Sequence, residues 1–190
     1  DIGAEVEWHL PSRFDEGYGV SDATLERLAG EGYGLVLTVD CGITAVEEVA
    51  EGRRLGLEII VTDHHRPGEA LPDCPIVATR PSEYPFPELC GTGVVFKLLQ
   101  VLAGEPLDRH LDLVALATIA DVVPLVDENR SLATAGLRAL ARTRRPGLRA
   151  LMRTAHVDPA AVDAGQVGFR LAPRINAAGR LGRPDVALEL

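Results

Sequence analysis

The chain has 190 residues, 46% of them hydrophobic, and a formal net charge of −9. That length supports one domain with a substantial core, or one domain and part of another. Nothing in the chain requires a membrane: no apolar run approaches the roughly 20 residues of a bilayer span, and the opening DIGAEVEWHL lacks the basic and apolar regions of a signal peptide.

Val6 to Leu10 reads as a first strand. Ser21 and Asp22 offer an N-cap for a helix running to about Leu28, and Gly30, Gly32 and Gly34 then break it. Leu35 to Val39 is a second strand, rich in β-branched residues and apolar throughout, as strands covered on both faces tend to be. Ile43, Val46, Val49 and Ala50 recur at helical spacing to about Leu55, and Glu58 to Thr62 gives a third strand. Strand, helix and strand make a βαβ unit, which implies parallel pairing and a right-handed crossover. A short strand over Ile76 to Ala78 follows.

From Gly91 onward the pattern is helical: Val94 to Leu102, Leu107 to Ala120, Arg130 to Arg142, Leu148 to Ala155, Ala164 to Leu171, and Asp185 to the end, punctuated by Pro124, Pro146, Pro159 and Pro173. The fold class is therefore α/β, a parallel sheet with flanking helices followed by a helical extension. The expected division is an α/β core over 1–135 and the extension over 136–190. Asp1 is not a start methionine and Val186 to Leu190 end on apolar residues in mid-helix, so the chain reads as an internal piece of a longer protein.

Excess acid argues at first against nucleic acid, because phosphate binding draws its affinity from Lys and Arg. The charge is uneven, however. Residues 136–190 hold ten arginines against four acids, a net of +6, whereas the first 135 hold 9 basic and 24 acidic residues, a net of −15. Such polarity could hold metal ions at one pole and a polyanion at the other, although exposed helices also carry charge merely to stay solvated. Cys41, Cys74 and Cys90 are odd in number and show no C-x-x-C spacing, so they read as reduced thiols of a cytoplasmic protein.

In open parallel sheets functional groups collect beyond the carboxyl ends of the strands. Asp40 follows the strand ending at Val39, and Asp63, His64 and His65 follow the one ending near Thr62. Neighbouring strands lie about 5 Å apart, so these groups would share one rim and offer mixed oxygen and nitrogen ligands to a divalent ion such as Mn²⁺. Asp121, in ATIADVVPL, interrupts an apolar helix end; a buried carboxylate needs a partner, either an arginine or a metal. Each residue has a plainer alternative. Asp40 could cap the helix that begins near Ile43, Asp63 could cap a turn, and paired histidines often lie on a surface.

Two further stretches could bind phosphate. Gly91-Thr92-Gly93 opens a helix whose N-H groups could receive one, though close packing explains a glycine pair equally. LAPRINAAGRLGR, residues 171–183, carries Arg174, Asn176, Arg180 and Arg183; arginine forks suit phosphate oxygens, and helix capping after Pro173 is the alternative. Lys97, the only lysine, lies one turn inside the helix that Gly91 opens.

The stretches SRFDEGYGVS, TVDCGIT, VTDHHRP, YPFPELCGTGVVFKL, ALATIADVVPLVDENR and APRINAAGRLG, in this order, resemble the DHH phosphoesterase superfamily and, within it, its single-strand-specific DNA exonucleases. The resemblance implies two Mn²⁺ or Mg²⁺ ions, with Asp40 bridging both and His64 and Asp121 holding one. It implies that His65 faces the scissile phosphate, that Asp63 orients the histidines, and that Arg174 and Asn176 hold the DNA backbone. The reaction implied is phosphodiester hydrolysis from 5′ ends of single-stranded DNA in recombination and repair. The expected partner is single-stranded DNA, with a single-strand-binding protein or helicase as candidate protein partners and no membrane.

The sequence departs from the superfamily pattern at both ends. It lacks the earlier D-x-D-x-D-G motif and the glycine- and histidine-bearing second lobe, so the piece is expected to carry half of the metal centre and little nuclease activity alone. Two rival readings are a related hydrolase of short oligonucleotides or cyclic dinucleotides, and a non-catalytic DNA-binding relative.

Overall fold

A computed structural model describes residues 4–11, 19–181 and 184–189. Residues 12–18 of the SRFDEGYGVS stretch, together with Asp1, Arg183 and Leu190, lie outside the described residues. Helix α1, Asp22–Gly30, starts where expected: the Ser21 side chain accepts from Thr24 N, which satisfies one of the otherwise open first-turn donors. Strand β1, Leu35–Val39, leads through helix α2, Val46–Arg54, to strand β2, Glu58–Asp63. Strand β3, Ile76–Ala78, completes a three-stranded parallel sheet in the order β1-β2-β3. The register pairs Val39 with Thr62, so Asp40 and Asp63 leave the sheet side by side. Leu25, Val49, Leu57, Ile59 and Val61 pack one face of this unit into a cluster.

The helices follow as α3 (Gly91–Ala103), α4 (Leu111–Ala120), α5 (Asp127–Leu140) and α6 (Pro146–Thr154), with a single 3₁₀ turn over Asp108–His110 in front of α4. Helices α4 and α5 approach closely because Gly136 has no side chain: a Cβ there would fall 2.3 Å from Leu111 O and 2.4 Å from Ala115 Cβ. Leu89, Val94, Phe96, Val114 and Leu132 form a cluster around α3. A larger cluster joins Leu116 and Ile119 of α4 to Leu140, Leu148, Met152, Val167 and Leu171. The expected division at residue 135 thus falls inside α5, whose buried residues serve clusters on both sides.

Four expectations are corrected. Val6 to Leu10 form no strand; Val6 is 84% exposed, and no described strand pairs with the segment. Strand β1 is not covered on both faces, since Leu35, Leu37 and Val39 are about half exposed along one edge of the sheet. The helix expected over Leu107 to Ala120 starts its α-helical part only at Leu111, because Leu107 takes a left-handed backbone, φ 57°. The helix expected to end at Leu171 continues. Helix α7, Ala164–Gln166, passes through a π turn over Val167–Leu171 into helix α8, Ala172–Arg180, before α9, Pro184–Leu188. The wide turn accommodates Pro173, which has no N-H and would clash with the carbonyl four residues back in a regular helix.

Candidate metal centre

Asp40 adopts a left-handed backbone, φ 63°, a region that aspartate tolerates better than most residues, and its N-H donates to Thr62 O. The turn that follows is tied to both strands. Thr38 Oγ1 donates to Cys41 O, and Thr62 Oγ1 donates to Thr38 O. Ile43 N donates to Asp63 Oδ2 at 3.0 Å. Asp63 is 1% exposed and its other oxygen accepts from His64 N, His65 N and His65 Nδ1 at 2.7, 3.2 and 2.7 Å. One carboxylate therefore fixes the turn after β1, the backbone of both histidines and the ring of the second. Burial opposes the charge of Asp63, but its four donors, Ile43 N first among them, hold its pKa below the ordinary aspartate value.

Across this rim the side chains converge. His64 Nε2 is buried, 3.2 Å from Asp40 Oδ1 and 3.4 Å from Asp121 Oδ2, within ion-pair range but without hydrogen-bond alignment. Asp40, His64 and His65 each offer a ligand atom, and those atoms lie within 4.8 Å of one another. The two imidazoles are adjacent, with centroids 4.5 Å apart. The neighbouring Asp40 carboxylate, helped by the charges of Asp121 and Asp63, raises the His64 pKa against the effect of burial. Burial, with repulsion from Asp40, raises that of Asp121. In both shifts the Asp40 carboxylate acts in the direction expected of negative charge gathered at this rim, first among the causes for His64 and behind burial for Asp121.

Asp121 is the C-cap of α4, and its side chain is 39% exposed, so it stands at the rim rather than in the buried setting expected from ATIADVVPL. The negative end of α4 adds to the carboxylates there. The next residue, Val122, holds φ 60°, a costly conformation for a β-branched side chain, in the turn that ends α4.

Of the two glycines weighed as a phosphate site, Gly93 has its N-H engaged within the helix start. Gly93 N donates to Cys90 Sγ, the N-cap of α3, and both glycines are buried. The Asp40 carboxylate itself occupies this helix start: a Cβ on Gly91 would lie 2.2 Å from Asp40 Oδ1. Arg174, Asn176 and Arg180 are exposed along α8, with Arg174 Nη1 donating to Arg170 O at 2.6 Å. Ile175 packs α8 onto the cluster containing Leu116 and Ile119, and among the described residues no hydrogen bond or ion pair joins Arg174, Asn176 or Arg180 to His64 or Asp121. Cys41, Cys74 and Cys90 are free thiols, and burial raises the pKa of each, which makes them poor nucleophiles.

The model of the DHH family N-terminal domain matches residues 1–118. The chain belongs to the DHH family. A single-stranded-DNA-specific exonuclease RecJ of Bacillus subtilis is 46% identical over the whole chain, which spans 24% of that relative's length. A crystal structure of exonuclease RecJ bound to manganese superposes with a TM-score of 0.89 at 40% identity, covering 98% of this chain and 48% of the other. RecJ of Thermus thermophilus in complex with Mn²⁺ gives 0.80 at 39% identity, covering 89% of this chain and 26% of the other.

Asn129, in the VDENR run of the DHH chain, carries no functional signal in its residue type. It is fully buried, and its Nδ2 donates to Glu88 O at 2.6 Å and Pro124 O at 3.0 Å. The first acceptor precedes Cys90 and Gly91, and the second closes the loop that leaves Asp121, so one amide ties together two segments that flank the site. Only its complete burial marks it, and that is invisible in the sequence. Asn129→Ala removes both hydrogen bonds of a fully buried amide, and an unfolding free energy lower by about 1–3 kcal/mol is expected in a urea titration. A stability within about 0.5 kcal/mol of the parent would show that the clamp contributes nothing.

Proposed function

We propose that this chain is the α/β catalytic core of a metal-dependent exonuclease that removes nucleotides from 5′ ends of single-stranded DNA, in recombination and repair. The observation that carries the reading is the approach of one buried imidazole nitrogen to two carboxylates from separate elements, 3.2 Å from Asp40 and 3.4 Å from Asp121. Matches along the full chain to single-stranded-DNA-specific exonucleases supply the substrate class. Since the chain spans about a quarter of that relative, the activity is proposed for the complete protein, with residues 1–135 as core and 136–190 as extension.

The donor set fits Mn²⁺ or Mg²⁺: two carboxylates and one imidazole suit Mn²⁺, and carboxylates alone suit Mg²⁺. Asp40, His64 and Asp121 would hold the ion, with Asp40 bridging to a second. When bound, such ions supply Lewis-acid activation of water and offset charge at the phosphate. Asp63 holds Nδ1 of His65, which turns Nε2 to the far side of the ring; we assign that nitrogen to the scissile phosphate and Asp63 to orienting it. Arg174, Asn176 and Arg180 are assigned to the DNA backbone, supported by their exposure on a helix packed against α4. A single-strand-binding protein or a helicase is the proposed protein partner, as a supplier of single strands.

Asp40→Asn in the complete protein tests this reading. The expected loss of hydrolysis is about 1,000-fold, or about 4 kcal/mol of charge stabilisation, with affinity for single-stranded DNA in EDTA unchanged. Hydrolysis at the parent rate ends the reading, and unchanged hydrolysis without added divalent ion does so as well.

A further inference from the structure

The end of α4 opposite Asp121 faces an open cleft of about 610 Å³, where the loop between α5 and α6 folds against the turn in front of α4. Arg109, Arg142, Arg144 and Arg145 line it, against two carboxylates, Asp108 and Asp112. Asp112 is almost fully buried and works as an anchor. It accepts from Thr143 Oγ1 at 2.7 Å, and both its oxygens accept from Arg145 Nε at 3.2 and 3.3 Å. Arg145 Nη2 then lies 3.0 Å from His110 Nδ1 and 3.5 Å from Arg109 O, so this guanidinium is held from three sides. Arg109 also pairs with Glu105, one turn before it.

That arrangement leaves positive charge over. Arg142 and Arg144 are exposed and form no ion pair with a carboxylate among the described residues. Burial first, and then the charges of Arg109 and Arg145, lowers the pKa of His110, which Arg145 Nη2 touches. Helix α6 also starts here without a side-chain cap, after Arg145, and its positive end reinforces the arginines. At the start of α4 the Asp112 carboxylate meets the first turn, accepting from Leu113 N at 2.9 Å.

We propose that this cleft is a second phosphate-binding site, which takes the backbone of single-stranded nucleic acid about 15 Å from the carboxylate centre, the length of the ten-residue α4. The phosphate chemistry rests on the cleft alone, and the nucleic-acid identity rests on the function proposed above. Arginine forks match phosphate oxygens in pairs, and the open shape admits a chain passing through rather than a small ligand held on all sides.

The test is fluorescence anisotropy of labelled oligo-dT with the protein in EDTA, repeated over a range of salt. R142A/R144A is compared with R138A/R153A, which removes the same charge from positions outside the cleft. The cleft pair is expected to weaken binding about ten-fold and to flatten the salt slope by about 1.4, the share of two phosphate contacts to a single strand. The control pair should leave the slope intact. Equal losses from both pairs, or no loss from the cleft pair, overturn the proposal. So does displacement of oligo-dT by poly-glutamate as effective as that by polyphosphate, which would assign the cleft to an acidic peptide. Because no divalent ion is present, failure of the hydrolase reading leaves this assay interpretable.

Discussion

Gly91→Ala is expected to weaken Mn²⁺ binding by about 10- to 100-fold, the usual cost of disturbing a group that positions a metal ligand. On helix propensity alone the substitution should stabilise α3, by up to about 1 kcal/mol. Geometry reverses that sign. The new methyl would fall 2.2 Å from Asp40 Oδ1, 2.5 Å from Cγ and 2.7 Å from Cβ, all far inside van der Waals contact. Neither side can retreat cheaply: Asp40 is held by its N-H bond to Thr62 O at φ 63°, and Leu89 and Cys90 bury the helix start. The carboxylate must rotate, which carries Oδ1 away from His64 Nε2. Overpacking of this kind costs about 1–3 kcal/mol, so urea unfolding should show a loss where propensity predicts a gain. Gly93→Ala is the comparison, since its nearest neighbour would be Leu89 Cβ at 3.3 Å and no metal ligand is involved. Calorimetric titration with Mn²⁺ decides the matter; a Gly91→Ala protein that is more stable and binds Mn²⁺ unchanged would show that Asp40 does not need this contact.

Much of the site could be read from residue order, because parallel strands joined by one crossover helix bring their carboxyl ends together whatever the details. Asp40 and the Asp63-His64-His65 run needed only that rule. The partner of Asp40 across the rim did not follow from it. Gly91 looks like any helix-opening glycine until α3 is docked on the sheet, and Asp121 looks buried until α4 ends beside it with its side chain partly in solvent. The exposed side of Leu35, Leu37 and Val39 was illegible for a related reason, since an apolar strand reads the same at the middle of a sheet as at its edge. Helix α8 was hidden by Pro173, which normally ends a helix and here is absorbed by a π turn.

Asp63→Asn is expected to cost about 3 kcal/mol of stability and to loosen the metal centre with it, although it changes one atom and almost no volume. Every group facing this side chain is a donor: Ile43 N on one oxygen, and His64 N, His65 N and His65 Nδ1 on the other. An asparagine offers one acceptor and one NH₂, so whichever way the amide turns, a donor meets a donor. If NH₂ faces Ile43, the turn after β1 is released and Asp40 moves with it. If it faces the histidines, the His65 ring loses its anchor. Either outcome leaves buried N-H groups unsatisfied, at about 1–3 kcal/mol. The parent carboxylate titrates lower in the folded chain than in the unfolded one. Its contribution is therefore complete above the unfolded aspartate pKa and disappears as pH falls through the folded-state value, and the variant should lack this acid limb of the stability profile. Urea unfolding across pH and Mn²⁺ titration at neutral pH measure the two effects. Equal stability with intact Mn²⁺ affinity would mean that the turn and the histidines hold their places without Asp63, and the structural cause assigned to the DHH run would be wrong.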